Sequence, residues 1–358
     1  MSNAIDGNAI VYCEGAFNTP NGKTAHGLVR FTRRYNVIAV VDSRYKGRDA
    51  GKVLDGREKD IPVCATLEEA VQLGQERGAP ANNFVIGLAP DGGRLSLAAR
   101  DDVKKALRLG LNVDSGLHDF LSEDKEIVQL AQQSGAAIRD VRKPPARENL
   151  HFFSGKIEQV ASLKIALLGT DSAVGKRTTA WLLVQALEEA GYKAEMVGTG
   201  QTAWMQGARY GVIMDSLVND FVSGEIEHVV WSAWKEAQPE VIVIEGQGSL
   251  MNPAYPGGFE ILAGGRPDLV ILQHAPARRD YDGFPGYPIH PLAKQIQVVE
   301  LLSGKPVAAI TINHEDLPNE QIPLVCDAIQ KAVGLPAFDV LKFGAGELVE
   351  VLKPYLAR

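Results

Sequence analysis

The stretch KIALLGTDSAVGKRTTA, Lys164 to Ala180, decides the fold of the second half of the chain. Its apolar start predicts a buried strand, a glycine-bounded loop follows, and a helical pattern begins near Lys176. In this arrangement backbone N–H groups, the positive end of a helix dipole and a lysine ammonium surround one small volume. The stretch therefore predicts a phosphate-binding loop.

This loop departs from the strict G-x4-G-K-[ST] pattern. Five residues separate Gly169 from Gly175, and Arg177 stands where a magnesium-binding hydroxyl is expected. Thr178 and Thr179 are the alternatives for that hydroxyl, so binding of Mg²⁺ stays open. The predicted cofactor-binding residues are Gly169, Thr170, Asp171, Ser172, Ala173, Val174, Gly175, Lys176, Arg177, Thr178 and Thr179.

Length, charge and composition restrict the class of protein. A chain of 358 residues predicts two domains, and a net charge of −7 gives no general attraction to nucleic acid or to anionic membranes. No signal-peptide pattern and no apolar run of membrane-spanning length is found, so we expect a cytoplasmic protein with a small-molecule partner. Three distant cysteines and no HExxH pattern predict neither a disulfide nor a metal site.

Short apolar strands alternate with amphipathic helices in both halves of the chain, which predicts an α/β fold with mainly parallel sheets. The segment RKPPARENLHFFSG, Arg142 to Gly155, has paired prolines and no periodicity, as is typical of a connector. We predict a Rossmann-like N-terminal domain at residues 1–148 and a P-loop NTPase-like C-terminal domain at residues 149–358.

The predicted first domain offers weaker binding signals. Lys23 lies in a second GKT motif between a strand and a helix, although the spacing fits no P-loop and no GxGxxG pattern is present. Lys23 is a candidate substrate contact. Asp42 ends the second strand, where Rossmann domains place a ribose-binding acid, and Arg44 and Arg48 are candidates for a phosphate. Surface charge is the alternative for all three.

Two elements of the second domain resemble dethiobiotin synthetases. The loop GTD-x-x-VGK is similar to their phosphate loop, and VIVIEGQGSLMNPAYPGG, Val241 to Gly258, is similar to their strand-plus-VEGAGG element. In those enzymes the acid at the strand end faces the metal and the phosphates. The resemblance implies this position for Glu245, and it implies an ATP- and Mg²⁺-dependent carboxylate-activating or kinase-like reaction as one alternative.

Nearly the full chain resembles a family of two-domain proteins, some of whose members are D-glutamate N-acetyltransferases. The motifs that carry this resemblance are KTAHGL (23–28), VVDSRYKGRDAG (40–51), GTDSAVGKRTT (169–179), GTGQTAWMQG (198–207), IEGQGSL (244–250) and INHE (312–315). The resemblance implies acetyl-CoA as donor and D-glutamate as acceptor, and we expect a homo-oligomer. A nucleotide-responsive binding module without turnover is a third hypothesis.

Acetyl transfer to an amine needs a general base and a site for the two carboxylates of the acceptor. The candidates for the base are Asp215, Glu245 and His274. Arg278 and Arg279 are predicted as a cationic clamp for the acceptor, with surface exposure as the alternative. The predicted substrate-facing loop supplies Gln201, Thr202 and Trp204.

Overall fold

The computed structural model describes residues 6–356, and its N-terminal part alternates strands with helices. The strands are Asn8–Tyr12 (β1), Asn36–Val41 (β2), Val63–Cys64 (β3), Asn83–Ile86 (β4), Asn112–Ser115 (β5) and Ile138–Asp140 (β6). The helices are Lys23–Arg30 (α1), Ala50–Asp55 (α2), Leu67–Glu76 (α3), Leu97–Arg108 (α4) and Lys125–Ser134 (α5). The side chains of Thr66, Ser96 and Asp124 cap α3, α4 and α5 by accepting first-turn N–H groups.

The first sheet has the strand order β3-β2-β1-β4-β5-β6 with every pairing parallel. This is the order of the doubly wound dinucleotide-binding fold, which confirms the predicted Rossmann-like architecture. Ile10 and Tyr12 pack in one apolar cluster, whereas Ala9 and Val11 pack in another. Alternate residues of β1 therefore face two buried layers, and this explains why residues 9–12 are apolar without interruption.

The C-terminal part repeats the alternation around a larger sheet. Its strands are Leu163–Gly169 (β7), Ala194–Gly198 (β8), Tyr210–Gly211 (β9), Val241–Glu245 (β10), Leu269–His274 (β11), Val307–Ile312 (β12) and Ala337–Phe338 (β13). Its helices are Lys176–Glu189 (α6), Gln201–Met205 (α7), Asn219–Ala237 (α8), Phe259–Gly264 (α9), Leu292–Ser303 (α10), Ile322–Val333 (α11), Val340–Phe343 (α12) and Gly346–Leu356 (α13).

The second sheet has the order β13-β12-β11-β7-β10-β8-β9, again with every pairing parallel. Strand β7 lies between β11 and β10, with Gly169 opposite Gln273 and Leu167 opposite Glu245. Because the carboxyl ends of parallel strands share one edge, this order brings the ends of β7, β10, β11 and β12 to the same edge of the sheet.

Packing divides the chain into two compact units. The first contains the chain up to Pro144 together with Gln201–Ala208, and the second contains Pro145–Gly200 and the chain from Arg209 onward. The sequence assigns residues 201–208 to the second domain. The structure places them in the first unit, where α7 packs against α1. The boundary at residue 148 stays a prediction.

One local prediction was wrong. The sequence predicts a loop at Gln201, but Gln201–Met205 is the helix α7. Helix α8 begins at Asn219, after a separate 3-10 turn at Met214–Ser216. Between residues 6 and 356, no helix is long and apolar enough to cross a membrane.

Candidate functional site

The loop between β7 and α6 forms a concave turn of backbone. Ala173 and Gly175 have φ angles of 52° and 103°, so the chain twice enters the left-handed region. The N–H of Thr170 donates to the carbonyl of Gln273, and Val174 is buried below the loop. Helix α6 follows with Gly175 at its N-cap, which provides no side-chain cap for the first-turn N–H groups. Such a turn presents N–H donors to an anion.

Lys176 folds back over this loop. Its Nζ donates to the carbonyl oxygens of Asp171 at 2.7 Å and Gly248 at 2.8 Å. A Cβ at Gly169 would lie 2.9 Å from Cδ of Lys176, so glycine makes room for the lysine. An ammonium group has three N–H donors, and the third has no acceptor within residues 6–356. One donor of Lys176 is therefore available to a ligand.

Burial and the positive charge of Arg278 lower the pKa of Lys176 to about 8, although the charges of Asp171 and Glu245 act in the opposite direction. The desolvation of a buried ammonium is the largest cause. A phosphate group at the loop would restore a counter-charge to this lysine. A bound anion would therefore stabilise the charged form of Lys176.

The carboxylate of Asp171 is fully engaged with the protein. One oxygen accepts the N–H of Ser172 and the amide of Asn252, and the other accepts Arg278 and the N–H of Asp282. Its side chain is completely buried. Asp171 therefore joins the phosphate loop to the loops that follow β10 and β11.

Glu245 ends β10 and is buried beside the phosphate loop. Its Oε2 accepts the N–H of Thr199 at 2.9 Å, and its backbone carbonyl accepts the hydroxyl of Thr199. Burial raises the pKa of Glu245, while the charge of Arg177, the N–H of Thr199 and the charge of Lys176 oppose the shift. The acid thus lies at the strand end, as its sequence context indicated, and its assignment as general base stays a prediction.

His274 ends β11, next to β7. Its Nδ1 lies 2.9 Å from the hydroxyl of Thr170, so the imidazole contacts the start of the phosphate loop. Burial lowers the pKa of His274 to about 4, and the charge of Arg278 contributes to the shift. At neutral pH this histidine is uncharged and a weak base.

The two arginines of the predicted clamp have different environments. Arg278 contacts Glu315 at 2.6 Å and Asp171 at 2.8 Å, and it also donates to the carbonyl of Ser172. Arg279 is exposed, and its side chain makes no ion pair with any residue that the structure describes. Arg278 thus already serves as a brace between loops, and Arg279 keeps its charge available. Binding of substrate by either residue stays a prediction.

The remaining predicted residues of the second unit divide by exposure. Asp215 is exposed in the turn before α8. The hydroxyl of Thr179 donates to the buried side chain of Gln273, whereas the hydroxyl of Thr178 has no partner within residues 6–356. Thr178 is therefore the better placed of the two threonines to contact a phosphate or a metal ion.

The predicted residues of the first unit make contacts within that unit. Lys23 is exposed at the start of α1, and the side chain of Gln201 lies against Gly116. The hydroxyl of Thr202 lies 3.0 Å from that of Thr24, and the guanidinium of Arg34 lies 3.7 Å above the ring of Trp204. Packing is the observed role of Thr202 and Trp204, and their contact with substrate stays a prediction.

Asp42 differs from the surface charge that was its alternative interpretation. It is fully buried, and its oxygens accept the N–H of Phe17 and the guanidinium of Arg44. These bonds occupy the carboxylate that a ribose hydroxyl would need. Asp42 therefore connects the loop that follows β1 with the loop that follows β2.

The structure adds one pair, His314 and Asp339, to the residues that the sequence predicts for the site. His314 follows β12, and its Nδ1 lies 2.5 Å from the buried carboxylate of Asp339. The available signal was the INHE motif, which lies at the carboxyl end of a strand. Asp339 carried no signal, because 25 residues separate it from His314.

Two models of known protein families match this chain. Residues 151–349 match the family described as "Domain of unknown function (DUF1611_C) P-loop domain". Residues 43–144 match "Domain of unknown function (DUF1611_N) Rossmann-like domain". The chain belongs to the DUF1611 family.

Relatives of this DUF1611 protein extend over most of its length. A D-glutamate N-acetyltransferase from Tritonibacter scottomollicae is 31% identical over 80% of this chain and 84% of the relative. One from a Pseudoalteromonas species is 30% identical over 78% and 82%. The crystal structure of a DUF1611 family protein from Anabaena variabilis is 28% identical, has a TM-score of 0.89 and covers 97% of this chain and 99% of that one. The predicted family and both fold types are confirmed.

Proposed function

We propose that this DUF1611 protein is an N-acetyltransferase that moves the acetyl group of acetyl-CoA to the amino group of D-glutamate. The observation that carries the proposal is the name shared by two relatives that align with about four-fifths of the chain. Acetyl-CoA as donor is supported by the features of the phosphate loop, and D-glutamate as acceptor is supported by the names of these relatives.

The residues of the loop fit a phosphate of the donor. Lys176 has a third N–H beyond its two bonds, the first-turn N–H groups of α6 have no side-chain cap, and both follow directly after the left-handed turn at Ala173 and Gly175. Thr178 lies in the first turn of the same helix. Coenzyme A carries a pyrophosphate and a 3′-phosphate, and N–H and lysine donors bind such groups without hydrolysing them. When bound, acetyl-CoA supplies an acetyl group activated as a thioester.

For the acceptor, the structure leaves one of the two predicted arginines available. Arg279 carries an exposed charge without an internal counter-ion among residues 6–356, whereas Arg278 is held by Asp171 and Glu315. A guanidinium can bind a carboxylate through two parallel hydrogen bonds. Arg279 is therefore our candidate for a carboxylate of D-glutamate.

An ATP- and Mg²⁺-dependent reaction is the second candidate. It is favoured by the hydroxyl of Thr178, which follows Lys176 by two residues and lacks a protein partner within residues 6–356. A hydroxyl in this region of a P-loop can bind magnesium. The saturated carboxylate of Asp171 weighs against it, because a metal would have to displace existing hydrogen bonds.

The test is an assay of the purified protein with acetyl-CoA and D-glutamate. Release of free thiol, together with N-acetylglutamate detected by mass spectrometry, is the expected result. L-glutamate and a reaction without acceptor are the controls for stereochemistry and for thioester hydrolysis. A parallel reaction with ATP, Mg²⁺ and D-glutamate tests the second candidate through ADP formation. No thiol release above the control would overturn the acetyltransferase proposal.

A further inference from the structure

His314 and Asp339 form a buried-acid and histidine pair in the second unit. His314 lies two residues after β12, and Asp339 precedes α12. The Oδ2 of Asp339 lies 2.5 Å from Nδ1 of His314, and its Oδ1 accepts the N–H of Lys342. The side chain of Asp339 is fully buried, whereas that of His314 is 29% exposed. The acid is therefore fixed, and the imidazole reaches the surface.

This hydrogen bond determines the chemistry of the imidazole ring. An ionised carboxylate can only accept hydrogen bonds, so the hydrogen of the neutral imidazole must lie on Nδ1. Nε2 then carries a lone pair, and it has no partner within residues 6–356. A histidine oriented in this way accepts a proton at Nε2, and the carboxylate stabilises the imidazolium that forms.

Hydrogen bonds and an ion pair connect the segment that carries His314 to residues that contact the phosphate loop. The N–H of Asn313 donates to the carbonyl of His274 at 2.7 Å. Glu315 binds Arg278, which in turn binds Asp171 in the loop. The residues on both sides of His314 therefore have fixed positions relative to the loop.

His314 lies farther from the phosphate loop than Glu245 and His274 do. Strand β12 is two positions from β7, and strands lie ~4.8 Å apart, so His314 lies on the order of 10 Å from the loop across the sheet. Extended chains gain roughly 3.5 Å for every three bonds, so the arm between the phosphates and the sulfur of coenzyme A spans roughly 15 Å. A donor held by its phosphates thus places its thioester away from the loop.

The two other bases beside the loop suit the reaction less well. Glu245 ends the strand adjacent to β7 and is buried next to Lys176 and Arg177. His274 contacts Thr170 through Nδ1 and is held uncharged by burial. Both positions favour a role at the phosphates rather than at the thioester.

We propose that His314 is the general base of the acetyl transfer and that Asp339 is its positioning residue. This inference rests on the proposed function. The substrate ammonium gives one proton to Nε2 of His314, and the amine then forms an N–C bond with the acetyl carbonyl as the C–S bond breaks. The second proton of the nitrogen passes to the thiolate of coenzyme A, and His314 releases the first proton to solvent.

The test compares His314→Ala and Asp339→Asn with the wild type. A positioned base contributes ~10²- to 10⁴-fold to the rate, so kcat of His314→Ala is expected to fall by that factor. The affinity for coenzyme A, measured by calorimetry, is expected to stay unchanged. Added imidazole should restore part of the activity of His314→Ala, and the acidic limb of its pH profile should disappear.

Asp339→Asn should lower kcat because an amide can reverse the tautomer of the imidazole of His314.

The control is His228→Gln, which replaces a half-buried histidine that stacks on His151. This variant should keep its activity. A wild-type protein without activity would overturn both the proposed function and this inference. An active wild type with a His314→Ala variant that keeps kcat within about threefold would overturn only the role of His314, because a base contributes more than that. Loss of activity without rescue and with an unchanged pH profile would likewise exclude it.

Discussion

Nη1 of Arg278 lies 2.8 Å from Oδ2 of Asp171, although 107 residues separate them in the sequence. The same guanidinium contacts Glu315, so one arginine connects the phosphate loop with the segments after β11 and β12. Because the carboxylate of Asp171 is completely buried, loss of Arg278 would leave a buried charge without its counter-ion. The shape of the loop therefore depends on a residue from a distant strand end.

Arg278→Ala should destabilise the protein, because it leaves the buried carboxylate of Asp171 without its counter-charge. Loss of one partner of a buried ion pair costs about 3 to 5 kcal/mol. We expect the free energy of unfolding to fall by about 3 kcal/mol, since Asp171 keeps Asn252 and two backbone N–H donors. Urea denaturation measures the change.

The matched control is Arg279→Ala, which removes the same group from the next residue. This variant should change stability by less than about 0.5 kcal/mol, as is usual for substitutions outside buried networks. It should raise the KM for D-glutamate if Arg279 binds the acceptor. Equal stability losses in the two variants would contradict the different environments that the structure gives them.

Lys176→Ala should weaken binding of coenzyme A by about 10²-fold, because a buried phosphate would lose its cation while the N–H groups remain. Calorimetry with coenzyme A measures the affinity. Lys164→Met is the control, since Lys164 is a buried lysine near the opposite end of β7 that pairs with Asp268 at 3.0 Å. It should change the affinity by less than about twofold, because distant sites act independently. Unchanged affinity of Lys176→Ala would refute the phosphate role of the loop.

The affinity for coenzyme A should also fall as the pH rises through about 8. Burial lowers the pKa of Lys176 to about 8, so the lysine loses its charge above that pH. The decrease should approach about tenfold per pH unit and should be absent in Lys176→Arg, whose guanidinium stays charged. Calorimetry at several pH values tests this. A fall of the same size in the arginine variant would exclude Lys176 as its source.

His274 should reduce stability in acid. Burial lowers its pKa from 6.5 to about 4. Between pH 6.5 and pH 4 the histidine is therefore protonated in the unfolded chain and neutral in the folded protein. Stability due to this group is therefore present above pH 6.5 and is lost as the pH falls to 4. The difference reaches about 3 kcal/mol. Denaturation of the wild type and His274→Asn at pH 7 and pH 4 measures it, and an identical pH dependence would contradict the prediction.

The elements that the sequence does not predict are mostly short. The edge strands β3, β9 and β13 have two residues each, which is too short to show a periodicity. Helix α7 has five residues in a glycine-rich segment, so no helical pattern was visible. In contrast, β7 and α6 are long and locally consistent, and the sequence predicts both the buried strand and a helix that begins near Lys176, where α6 begins.

The sequence by itself determined the two α/β folds, the phosphate loop and the acid at the end of β10, because each depends on residues that are neighbours along the chain. Only the tertiary structure decided that Arg278 braces Asp171, that His274 is uncharged and that Asp339 orients His314. These properties arise from burial and from contacts between strand ends far apart in sequence. Such contacts exist only after the parallel sheet has brought those strand ends to one edge.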